Sequence, residues 1–99
     1  MQLISISELK DRISKGEKIN LVDVREPSEH AEFNIGGKLI PLSKIQAMDT
    51  ESLDAFKEQE LIVYCRSGNR SGQACQLLDM MGFTNTKNLQ GGMLAWQKQ

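Results

Sequence analysis

Residues 61–71 read LIVYCRSGNRS. Leu61-Ile62-Val63-Tyr64 is the most strand-like run in the chain, built from apolar, β-branched and aromatic side chains. Cys65-Arg66-Ser67-Gly68-Asn69-Arg70-Ser71 follows at once. Ala74, Leu77, Leu78 and Met81 then trace one helix face, and Gly82 stops it. The unit is a buried strand, a tight cationic loop and an amphipathic helix beginning about five residues past the cysteine.

The same alternation extends outward in both directions. Ser5-Ile6-Ser7-Glu8 fits a capping box, with Ile6, Leu9 and Ile13 at helical spacing and Gly16 as the stop. Residues 19–24 are apolar and β-branched, which predicts a buried strand running into Asp23-Val24-Arg25. Glu26-Pro27 breaks it, and Pro27 suits the first turn of a short helix reaching about Phe33. Gly36-Gly37 predicts a turn. Residues 39–42 predict a short strand with Pro41 near its end or on an edge, and Leu53 and Phe56 mark a modest helix. Thr86–Leu89 reads as the last of five short strands, and Gly91-Gly92 leads into a closing helix with Leu94 and Trp96. Strands alternating with helices predict an α/β fold: a five-stranded, mostly parallel sheet with helices on both faces, in a single domain over residues 1–99.

Composition narrows the function classes. Twelve basic and thirteen acidic residues leave a net charge of -1, so no global field favours nucleic acid or an anionic membrane. No apolar run approaches transmembrane length, and the N-terminus carries no signal-peptide pattern. Two cysteines make no disulfide framework, and with one histidine they are poor material for zinc. No metal or cofactor is expected, and a reducing, cytoplasmic setting is the default.

In a parallel sheet, ligands bind outside the carboxyl ends of the strands, where Cys65 lies. A loop between such a strand and a helix N-terminus gathers unpaired backbone N–H groups, and the helix dipole adds partial positive charge. Gly68 lets this loop curl tightly, and Asn69 tolerates unusual backbone angles. Such a cradle, with Arg66 and Arg70 nearby, pushes the Cys65 thiol toward thiolate. The guanidinium groups also suit an anionic substrate. Free cysteine is usually a buried small hydrophobe, but Arg66, Ser67, Gly68, Asn69 and Arg70 are poor core companions.

The strand-CRSGNRS-helix segment resembles the active-site loop of the rhodanese family of sulfurtransferases, in its single-domain form. Three further segments match in order: Leu21-Val22-Asp23-Val24-Arg25-Glu26-Pro27, Ile35-Gly36-Gly37 through Ile40-Pro41-Leu42, and Leu89-Gln90-Gly91-Gly92 with Trp96. One departure is visible: Asn34-Ile35-Gly36-Gly37 stands where many members have His-Ile-x-Gly-Ala. The resemblance implies a transferase that moves sulfane sulfur from thiosulfate or a similar small anionic donor. The Cys65 nucleophile would carry it as a persulfide to cyanide or a thiol. Backbone donors would come from Arg66 through Ser71. Arg66 would recognise the donor's sulfonate, and Arg70 would support both cradle and anion. A carrier role toward a protein sulfur acceptor is the alternative. Cysteine phosphatases and arsenate reductases rank below it, because four residues between Cys65 and Arg70 make a tighter ring than a phosphoryl group needs.

The remaining polar residues read as structural. Asp23 and Arg25 are expected to anchor loops near the site as an ion pair. His30 is expected to be solvated or capping, Cys75 to pack in the core, and Trp96 to be core. Gly91 and Gly92 are expected to let the last loop pass close to the site.

Overall fold

The computed structural model describes residues 1–99. Five parallel strands form one sheet in the order β1-β5-β4-β2-β3: β1 (Gln2–Ile4), β2 (Leu21–Asp23), β3 (Lys38–Leu39), β4 (Leu61–Tyr64) and β5 (Thr86–Leu89). The helices are α1 (Ile6–Ser14), α2 (Pro27–Glu32), α3 (Leu42–Gln46), α4 (Asn69–Met80) and α5 (Gly92–Lys98), with a 3-10 segment at Glu51–Phe56. None is long and apolar enough to cross a membrane.

The central strand organises the core because all four of its residues are buried. Leu61 and Val63 join Ile45, Leu53, Ala74, Cys75 and Leu78 on the face covered by α3 and α4. Ile62 and Tyr64 face the other way, with Ile6, Leu9 and Met93 of α1 and α5. Each such aliphatic side chain contributes about 1.5–3 kcal/mol by leaving water. Behind the strand, Glu60 accepts bonds from Arg12 at 2.6 and 3.1 Å and from Lys87 at 2.6 Å, which ties α1 and β5 to the start of β4.

The five-stranded sheet with helices on both faces forms as expected, and every pairing in it is parallel. Several expectations shift at the element ends. Of residues 39–42, only Leu39 lies in a strand: β3 is an edge strand of two residues, and the Ile40 amide bonds Asp23 O at 2.8 Å and the Leu42 amide Val24 O at 3.1 Å as the chain turns into α3, with Pro41 as its N-cap. The modest helix expected around Leu53 and Phe56 is present and winds as 3-10 over Glu51–Phe56. Neither β1 nor α3 stands out in the sequence, since each buries only one residue, Ile4 or Ile45. The Ser5 cap forms, with the Glu8 amide donating to Ser5 Oγ at 3.1 Å. The Glu8 carboxylate accepts from the Ser5 hydroxyl at 3.0 Å, whereas a full capping box would use the backbone amide.

Parallel strands bring the segments that follow them to one side of the sheet. Asp23 pairs with Tyr64, and Val63 with Asn88, so the ends of β2, β4 and β5 lie side by side. The departure at Gly37 has a packing reason here. A Cβ on Gly37 would sit 2.6 Å from Tyr64 Cε1 and 2.7 Å from its hydroxyl. That hydroxyl accepts from the Gly37 amide at 3.2 Å and the Ile35 amide at 3.4 Å. Tyr64 thus occupies the space that an alanine methyl would take. Gly37→Ala should lower stability in urea unfolding by about 1–3 kcal/mol, the range for an overpacked core. In a Tyr64→Leu background the same substitution should cost almost nothing. An equal cost in both backgrounds would show that the ring is not what excludes the methyl.

Candidate active site

The chain leaves β4 at Cys65, turns through Gly68 at φ +107°, and enters α4 at Asn69. This turn swings the Gly68 amide back onto the cysteine, where it donates to Sγ at 3.0 Å. The Ser71 hydroxyl, one turn into α4, lies 3.3 Å from the same sulfur. Cys65 is 0% exposed. Burial pushes the thiol up. Hydrogen bonding from the Ser71 hydroxyl and from the amides of Ser71, Gly68 and Ser67 outweighs burial, and the thiol titrates below its ordinary value.

The loop keeps its N–H groups inward because its carbonyls are held from outside. The Met93 amide donates to Cys65 O at 2.9 Å, and the Leu94 amide to Arg66 O at 3.0 Å. These are donors that the first turn of α5 leaves free. The approach requires glycine at position 92: at φ +57°, a Cβ there would lie 2.5 Å from Cys65 O and 2.6 Å from Arg66 C and O. Asn88, at the end of β5, braces the other side. Its amide nitrogen donates to Gly68 O at 3.1 Å, and its carbonyl oxygen accepts from the Ser71 hydroxyl at 2.5 Å.

Charged side chains from β2 and α2 surround the loop. Asp23 is fully buried and accepts from the Arg25 amide, Nε and guanidinium at 2.9–3.0 Å. His30 Nδ1 lies 2.8 Å from Asp23 Oδ2, the oxygen that also accepts from Arg25 Nη2. Burial alone would push Asp23 up, but the bonds from Arg25 and His30 hold it below the usual carboxylate range. Arg70 forms a fork on Glu29, at 2.7 and 2.9 Å. Arg66 has no such partner and lines a cleft of about 480 Å³ together with Arg25, Glu29, Glu32, Phe33 and Leu94.

The structure therefore brings Cys65, Ser67, Gly68 and Ser71 together around the sulfur and sends Arg66 into the adjoining cleft. Asp23 and Arg25 stand beside it as an ion pair, and Gly91 and Gly92 carry the last loop against it. Two expectations change. Asn69 needs no unusual angles, because it is already helical and Gly68 makes the turn. His30 is one-quarter exposed and bonded to Asp23, so it is no solvated or capping side chain. Cys75 is fully buried, and burial pushes its thiol up to about 11, which leaves it inert as a resolving thiol. Glu29 and Asn88 were not visible as site residues. The one signal in the sequence was an asparagine inside an otherwise buried parallel strand, where a polar side chain needs a partner.

The chain matches the Rhodanese-like domain family over residues 5–99. It belongs to the rhodanese-like family. It is 36% identical over 96 residues to a sulfurtransferase of Allochromatium vinosum, covering 96% of this chain and 87% of that protein. The human single-domain sulfurtransferase superposes with a TM-score of 0.84 at 29% identity, covering 100% of this chain and 97% of that one. A Mycobacterium tuberculosis protein named "Probable adenylyltransferase/sulfurtransferase MoeZ" is 38% identical over 98 residues, but the chain spans only 24% of its length.

Ser71 tests how the thiolate is stabilised. Ser71→Ala removes the hydroxyl that lies 3.3 Å from the sulfur and keeps the loop amides. The pH midpoint of Cys65 alkylation by iodoacetamide should lie below the free-cysteine value of about 8.5 in the parent and move upward in the variant. Cys75 should stay unmodified in both. An unchanged midpoint would mean that the hydroxyl serves Asn88 alone.

Proposed function

We propose that the protein is a sulfurtransferase that moves sulfane sulfur from thiosulfate or a similar donor to a thiophilic acceptor, cyanide or a thiol, through a persulfide on Cys65. The observation that carries this reading is the 3.0 Å bond from the Gly68 amide to Cys65 Sγ, within a loop whose carbonyls are turned away. A nucleophile stabilised by fixed donors is ready to attack sulfur without a general base. In the first step the thiolate attacks the outer sulfur of thiosulfate. The S–S bond of the donor breaks, a new S–S bond forms on Cys65, and sulfite leaves with the bonding pair. The terminal persulfide sulfur then rests among the loop amides. In the second step an acceptor attacks that sulfur, and the Cys65 thiolate is the leaving group.

The charges around the loop favour this chemistry over phosphoryl transfer. A phosphatase of this kind needs its loop arginine on the phosphate, whereas Arg70 is already forked onto Glu29. Arg66 is the cation left to meet an anionic donor. The second reading is a persulfide carrier that hands sulfur to a protein partner. It is favoured by the match to one quarter of a longer protein whose name pairs sulfurtransferase with adenylyltransferase.

Mass spectrometry after thiosulfate treatment should show one added sulfur on Cys65 and none on Cys75. Cys65→Ser should abolish transfer to cyanide without loss of fold, and retained activity would remove the nucleophile assignment. Turnover with cyanide set against turnover with a protein thiol acceptor separates enzyme from carrier. Arg66→Ala should raise the thiosulfate KM, with kcat/KM falling by about 1.5–3 kcal/mol as for other charge-assisted bonds. An unaltered KM would place the Arg66 side chain outside donor recognition.

A further inference from the structure

We propose that Glu29 sets the donor specificity of the Cys65 site: by holding Arg70 in a closed ion pair, it disfavours dianionic donors such as thiosulfate relative to alkyl persulfides. This rests on the sulfur-transfer reading above and names the donor class within it. Arg70 begins α4 and lies near enough to Cys65 for their charges to interact. Its guanidinium nitrogens are taken by both Glu29 oxygens, at 2.7 and 2.9 Å. Glu29 is itself anchored, because its Oε1 accepts from the Glu26 amide at 3.0 Å in the cap of α2. The bonds from Arg70 hold its carboxyl down at about 2, so the pair persists across the physiological range.

The charge count around the cleft points the same way. Arg25 is matched by Asp23 and Arg70 by Glu29, while Arg66 and Glu32 both line the cleft and neither has an ion-pair partner. A dianion entering this cleft meets no surplus of positive charge, and it must still approach a thiolate. An alkyl persulfide avoids that repulsion. The Cys65 thiolate attacks the terminal sulfur of R–S–SH, the donor S–S bond breaks, and R–S⁻ leaves with the bonding pair. Cys65 is left as the persulfide with the proton on its outer sulfur. Phe33 and Leu94 give the cleft an apolar wall for the R group, which thiosulfate does not have.

The test compares kcat/KM for thiosulfate with that for cysteine persulfide, using the whole chain at low ionic strength. Glu29→Gln keeps an acceptor for the Glu26 amide but removes the charge. It should raise kcat/KM for thiosulfate about tenfold, mainly through KM, as expected when a cleft gains net positive charge. The persulfide value should change by less than about threefold, the size of a surface-charge effect. Raised salt should erase the gain, Glu29→Asp should keep the parental ratio, and the Glu29→Gln/Arg70→Gln double variant should lose the gain. Glu32→Gln, at an exposed position without partners, should shift the ratio the same way by a smaller amount, and it carries the test should Glu29→Gln fail to fold. Equal losses on both donors in Glu29→Gln, or a ratio unmoved in every variant, would overturn the proposal while sulfur loading of Cys65 persisted. No sulfur on Cys65 of the parent from either donor would overturn the transfer reading itself, and this proposal with it.

Discussion

Two hydrogen bonds from α5 to the β4–α4 loop, Met93 N to Cys65 O and Leu94 N to Arg66 O, fix the orientation of the peptides around the sulfur. A peptide presents its N–H and C=O on opposite sides. Holding the carbonyls from outside therefore leaves the amides facing in. Each such amide bond to a charged acceptor contributes about 1.5–3 kcal/mol, enough to offset the burial of a thiolate. The contact is possible because Gly92 has no Cβ, and the sheet supplies the geometry: β5, which delivers α5, lies directly beside β4.

The ends of the sheet have opposite electrostatic designs. Behind β4, Glu60 pairs with Arg12 and Lys87, and Arg12 also with Glu17, in a network that joins three elements and has no part in the site. In front of it, the buried Asp23 draws in Arg25 and His30. A buried carboxylate is tolerable only when its lone pairs are filled, and Asp23 is filled by three donors from Arg25 and a ring nitrogen. This fixes the position of α2 relative to β2. With α2 fixed, Glu29 is carried to Arg70, so a charge buried for packing reasons also determines which cation near Cys65 remains free.

The legible parts of the chain were those whose cause is local. The run at 61–64 is apolar on both faces because both faces are covered. Gly68 follows from the turn, Gly92 from a close approach, and Cys65 from the strand end. The elements that escaped are those created by partners distant in sequence. Gln2–Ile4 is a strand because β5 offers it an edge, with each paired residue 85 positions later. Residues 39–42 looked like a strand, but the strand is confined to Lys38–Leu39 and the chain is already helical from Leu42. Asn88 and Glu29 reach the site from 20 and 41 residues away, as measured to the groups they bond. No short-range pattern encodes either pairing. His30 looked solvated for the same reason, since only the fold sets it against Asp23.

The site thus divides its work between backbone and side chains. Activation of the sulfur uses peptide N–H groups, the Ser71 hydroxyl and a helix terminus. Most of these survive substitution of the loop's side chains as long as Gly68 and Gly92 hold the chain's path. On the proposed reading, discrimination among donors would rest on Arg25, Arg66, Arg70 and the neighbouring carboxylates, none of which bonds Sγ. A change of charge in the cleft can therefore alter which molecule supplies sulfur while the nucleophile stays poised. The converse is harder, because moving the loop carbonyls would require displacing α5, whose Met93 is part of the core. On physical grounds, donor preference is the more adjustable property of this site, and thiolate stabilisation the less adjustable one.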